Sequence, residues 1–159
     1  MSDSGFGGDQ PAEHQRFACH LQALAIVRDE DEADLVTAVL RDPDTTMAQS
    51  AVVRHLDRRA GQLLTDERFT HWAHAMATVV HEREFLTRRL HEWTLLRSTT
   101  PHESWTTEEV ATASEWFQRK AAETVTSPAV LTLLATTGRT RRVRVTASRR
   151  LQPRDQQPS

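Results

Sequence analysis

Apolar residues recur along this chain at intervals of three and four, the spacing of one face of an α-helix, while apolar/polar alternation is almost absent. The pattern predicts a first helix from about Pro11 to Val27, with Phe17, Leu21 and Leu24 and the small Ala18 and Ala25 on one face. The acidic run Asp29, Glu30, Asp31, Glu32 ends it and supplies negative charge to the start of a second helix, Ala33 to Arg41. Pro43 stops that helix, because it has no amide proton and its ring clashes with the preceding turn. Thr46 and Gln49 form a capping-box pattern for a third helix, which Gly61 is placed to close. Between Thr65 and Leu96 no proline or glycine intervenes. That stretch predicts a helix of about 32 residues, with His81 to Arg83 as the place for a break. Thr106 and Glu109 make a second capping box, stapled by Trp105 and Val110, for a helix reaching Val125. Ser127 and Pro128 cap a shorter helix that ends at Gly138.

The expected fold is therefore all-α: a single-domain, antiparallel helical bundle of about 5–7 helices with disordered termini. Residues 1–10, rich in Gly, Ser and Asp, form the expected disordered head. Residues 11–138 make the bundle, and 139–159 a basic tail whose polar, proline-bearing distal end is disordered.

Within the third helix, the run QSAVVRHL (49–56) resembles the DNA-reading helix of helix-turn-helix repressors. Such a reader needs a complete helix just before it, over about Ala38 to Thr45. This chain places Asp42, Pro43 and Asp44 there, and proline inside a helix costs about 3 kcal/mol. The favoured reading is a helical hairpin, with Val52, Val53, Leu56, Ala60 and Leu63 facing the core and Arg54, Asp57, Arg58 and Arg59 in solvent.

Composition narrows the function classes. The chain has 159 residues, enough to bury a core without metal or disulfide staples, and a single cysteine. Cys19, with no second cysteine to pair with, is expected to be a core or boundary thiol rather than a nucleophile. No segment has the apolar length of a membrane span, and the head has neither the basic region nor the apolar run of a secretory leader. A cytoplasmic location follows as the expectation. Lys120 is the sole lysine, and Asn and Tyr are absent. This suggests a GC-rich coding bias and reduces what any one arginine signifies. The net charge of -2 conceals a polarity: residues 1–34 carry eight acids against two arginines, and residues 126–159 seven arginines against Asp155.

His71, His74 and His81 lie opposite the apolar stripe of Phe69, Trp72, Met76, Val79, Leu86 and Leu90, and His74 and His81 are too far apart along the axis to share a metal. No nucleophile elbow, P-loop, dinucleotide turn or zinc-protease motif is present. Neither a cofactor nor a metal is expected, and a small metal-dependent enzyme stands only as a third possibility. The tail is more distinctive: Arg139, Arg141, Arg142, Arg144, Arg149 and Arg150 fall within twelve residues. With Arg54, Arg58 and Arg59 they are candidate contacts for nucleic acid or an acidic partner. Trp116, Phe85 and Leu96 fall off their helices' apolar stripes and are candidate anchors for a protein partner or self-association. The leading expectation is a non-enzymatic regulatory or adaptor protein acting through protein contacts, with a nucleic-acid-binding regulator as its rival.

Overall fold

Side-chain caps cut this chain into shorter helices than apolar periodicity alone predicts. The computed structural model describes residues 9–99 and 104–153, and their regular structure is entirely helical. Nine α-helices occur among them: α1 Asp9–Ile26, α2 Glu32–Leu40, α3 Thr45–Leu63, α4 Phe69–Val80, α5 Glu84–Ser98, α6 Thr107–Thr112, α7 Glu115–Thr124, α8 Pro128–Thr137 and α9 Arg141–Leu151. The count exceeds the expected five to seven for three reasons. The long helix divides at residues 81–83, where Arg83 turns back to donate its guanidinium to the last carbonyl of α2, Leu40 O, at 3.1 Å. The helix after Thr106 divides at residues 113–114, because Ser114 Oγ accepts the Phe117 amide and starts a new N-terminus. The basic tail forms α9, with Thr140 Oγ1 accepting the Val143 amide as its cap. The expected disorder of the head and of the far end of the tail concerns residues that lie largely outside the described ones.

Other boundaries shift by a few residues. Asp44, not Thr46, caps α3, its carboxylate accepting the Met47 amide at 3.0 Å. The helix then runs through Gly61 to Leu63. The Thr106–Glu109 capping box is present with both of its hydrogen bonds, and Ser127 caps α8 with Pro128 in the first turn. Gly138 closes α8 at φ -54°, so it is needed for space and not for a left-handed turn. A Cβ there would sit 2.6 Å from Leu134 O and 2.8 Å from Val143 Cγ1.

The chain divides into two compact units, Met1–Leu90 and His91–Ser159, with the boundary inside α5. In the first unit α3 packs on α1, α2 and α4, and α2 also packs on α1 and α4. Leu24, Val36, Val52, Leu56, Phe69 and Met76 fill its core. Each such side chain contributes about 1.5–3 kcal/mol by leaving water. The turn Asp42–Pro43–Asp44 is pinned by Asp42, which meets His20 at 3.0 Å and the Asp44 amide at 2.9 Å. His20 and that amide hold the Asp42 carboxyl below its ordinary range. In the second unit α9 packs on α7 and α8, and α8 on α6 and α7, around Val110, Phe117, Leu134, Val143 and Ala147. Cys19 is exposed on α1, not at the core boundary, and Ala18 and Ala25 are exposed as well. Among the described residues no helix is long and apolar enough to cross a membrane.

Candidate functional site: a pocket walled by a buried carboxylate

Glu32 opens α2 at the end of the acidic run and is 3% exposed, the one member of that run that turns inward. An ionised carboxylate in such a place must be matched by donors, since burial of an unpaired charge costs several kcal/mol. Three side chains supply them on Oε2: His55 Nε2 at 2.6 Å, Arg59 Nε at 3.1 Å and the Trp72 indole N–H at 3.1 Å. Two come from α3, one turn apart, and the third from α4. Oε1 receives only a long contact of 3.5 Å from Arg59 Nη2.

Burial alone would raise the Glu32 carboxyl. The hydrogen bonds from His55, Trp72 and Arg59 outweigh it and lower its pKa from an ordinary 4.5 to about 2. His55 is itself fixed by a second contact, Arg58 Nη2 to Nδ1 at 2.9 Å. A guanidinium only donates, so Nδ1 accepts and the ring carries its hydrogen on Nε2, directed at Glu32. Arg58 also donates to Leu24 O at 3.0 Å, tying α3 to the end of α1.

This cluster forms one wall of a pocket of about 410 Å³ in the first unit, lined by Asp29, Glu32, Ala33, Arg59, Leu63, Glu67, Arg68, His71, Trp72, Ala75 and Met76. The volume lies in the range of small-ligand sites, and apolar walls with a few placed polar groups are their usual composition. The guanidiniums at the pocket are already engaged. Arg59 reaches Asp29 at 3.1 Å besides Glu32, and Arg68 pairs with Asp66 at 3.1 Å and Asp29 at 3.7 Å.

Arg58 and Arg59 belong to this cluster, and Arg54 is exposed with its guanidinium over the Phe17 ring at 5.3 Å. The expected core stripe of α3 is present, but it includes His55 and only half-buries Val53. Asp57, expected in solvent, accepts from Arg89 at 2.7 Å. Phe85 is 49% exposed, with the Arg89 guanidinium 5.5 Å from its ring. Leu96 is 3% exposed, so its placement off the core is corrected. The α5 turns of the second unit bury Trp93, Leu95 and Leu96 together, a wider face than a single stripe. Trp116 is half-buried, packed edge-on against Trp93 at 5.4 Å.

The arginines from 139 to 150 separate into two groups. Arg139 donates to Thr112 O and Ala113 O, Arg144 to Gly138 O, and Arg150 to Ala122 O and Val125 O. These three close helix C-termini, whose last carbonyls lack intrahelical partners. Arg141, Arg142 and Arg149 are exposed, and their guanidiniums make no hydrogen bond or ion pair among the described residues. His71, His74 and His81 are exposed, and no three His, Cys, Asp or Glu side chains among the described residues are grouped to hold a metal. Sequence reasoning missed Glu32 and His55 as site residues. Set against protein-family models, curated proteins and solved structures, the chain matches none.

Proposed function

We propose that the protein is a non-enzymatic regulatory or adaptor module that acts by binding, and that the pocket beside Glu32 is where its ligand enters. The observation that supports this most is the state of Glu32. A general acid or base works best with a pKa near the operating pH. A carboxyl at about 2, with three donors on one oxygen, is a poor base and at neutral pH holds no proton to give. It is instead a constant, preorganised negative charge, which suits recognition. Phe85, exposed beside Arg89, is the second contact point of this module.

The test is a fragment screen followed by amide chemical shifts of the full chain. Binders should move amides within 29–33 and 59–76, and Ala75→Phe, which fills the pocket, should abolish those shifts. Fragments that are consumed, or a screen in which none of those amides moves, would overturn the reading.

The free arginines of α9 support a second reading, contact with nucleic-acid phosphates. Arg142, Val145 and Arg149 follow helical spacing on an exposed side of α9, with Arg141 adjacent, and α9 carries no acid. Deleting the tail cannot test it, because Val143 and Ala147 are core residues. Arg141, Arg142 and Arg149 should be changed to Gln together and anisotropy with labelled duplex measured at two salt concentrations. A three-phosphate contact loses a log–log salt slope of about 2.7 on this change. Binding that is equal in both proteins removes the reading.

A further inference from the structure

Which ligand chemistry the pocket takes is decided by its charge and its walls. Three carboxylates line it, Asp29, Glu32 and Glu67, and a fourth, Asp66, lies against the lining Arg68. Only two guanidiniums, those of Arg59 and Arg68, stand among them, and each is divided between two carboxylates. Among the lining residues the carboxylates thus outnumber the guanidiniums, three to two. Glu67 is exposed and makes no ion pair among the described residues. Glu32 Oε1 keeps acceptor capacity, since a carboxylate oxygen accepts about two hydrogen bonds and this one has a single contact at 3.5 Å. The remaining lining is Ala33, Leu63, Ala75, Met76, the exposed His71 and the Trp72 indole, a mostly apolar surface with an aromatic ring, the side chain best suited to lie against a cation. An anionic ligand would meet carboxylates whose arginines are already committed, and a wholly apolar one would strip water from ionised groups without replacing it.

We infer that the pocket binds a small organic cation, an ammonium group carried on an apolar body, with the ammonium hydrogen-bonded to Glu32 Oε1 and the body against Trp72 and Met76. This rests on the reading of the pocket as a binding site. It adds the sign of the ligand's charge, which that reading leaves open. The arrangement also sets an order among the groups. Asp29 and Glu67 attract the cation at long range and are screened by salt, whereas the buried Glu32 makes the short contact and is screened little.

The experiment uses three probes with one apolar body: 4-phenylbutylammonium, 4-phenylbutanol and 4-phenylbutanoate. Each is titrated into the full chain and followed by amide shifts and calorimetry. The ammonium should bind about tenfold more tightly than the alcohol, and the carboxylate most weakly. Glu67→Gln should weaken the ammonium about threefold and leave the alcohol unchanged, because Glu67 acts only through its charge. Equal or tighter binding of the alcohol or the carboxylate within the same amides overturns the cation and leaves the pocket reading standing. Failure of all three to move amides of 29–33 and 59–76 overturns both.

Discussion

The two units bury polar side chains in opposite ways. In the second unit they serve backbone. Gln118, fully buried, donates to Val110 O and Ala111 O and accepts the Arg139 amide, thereby closing α6 and receiving the start of the next segment. Glu92 accepts both the amide and the hydroxyl of Ser114, at the head of α7. These groups answer the orphan donors and acceptors that many short helices create. In the first unit the buried polar groups bond mainly to one another, and they do so at the wall of a cavity. Replacing a buried ion pair by well-packed apolar side chains of similar volume is often neutral or stabilising. Polar burial that completes a helix end has a sufficient cause in the fold, whereas the charged cluster facing the pocket completes no helix end, which is why we propose a binding role for it.

The strongest way to break this contrast is Glu32→Ala. It leaves His55, Trp72 and Arg59 without their shared acceptor, and urea denaturation should show a loss of about 3–5 kcal/mol. A loss below about 1 kcal/mol would mean the cluster is no more than a surface pair.

Acid sharpens the same point. The folded pKa of Glu32 lies below its ordinary value, so its contribution is fully present above about 4.5 and disappears as pH falls through about 2. The amount is on the order of 3 kcal/mol. Stability of the wild type minus that of Glu32→Ala, measured by urea from pH 6 to pH 2, should shrink over that window; a constant difference would contradict it.

Gln118→Leu probes the second unit. It strands two carbonyls and an amide and should cost about 2 kcal/mol in the same assay. That cost should not vary between pH 6 and pH 3, since no charge is involved.

Smallest is the contrast within α9. Arg150→Ala removes the donor to Ala122 O and Val125 O and should cost about 1 kcal/mol, while Arg142→Ala should stay within about 0.5 kcal/mol. Equal effects on the thermal midpoint would show that the two groups of arginines do not differ.

Helical class, the pinned Asp42–Pro43–Asp44 turn and the caps at Thr106 and Ser127 were legible, because each depends on local chemistry. The extra helix starts at Ser114 and Thr140 were less visible. A hydroxyl is an ordinary residue until tertiary packing decides whether the chain turns there. The Glu32 cluster was hidden in a different way. Among four consecutive acids, attraction to the helix N-terminus explained all of them equally. A signal was nonetheless present: Glu32 stands four residues before Val36, and His55 three after Val52, so both occupy positions of the buried register. Polar residues in phase with an apolar stripe were the clue. Their meeting, from positions 23 residues apart, required the fold.

The distribution of tryptophans has an optical consequence. Trp93, Trp105 and Trp116 belong to the second unit, and Trp72 alone to the first, where its indole N–H rests on the Glu32 carboxylate. A chain with those three changed to Phe would carry a single emitter whose excited-state dipole lies beside the charge at the pocket wall. Its colour and lifetime would then register protonation of that carboxylate, or the arrival of a cation, without any added label.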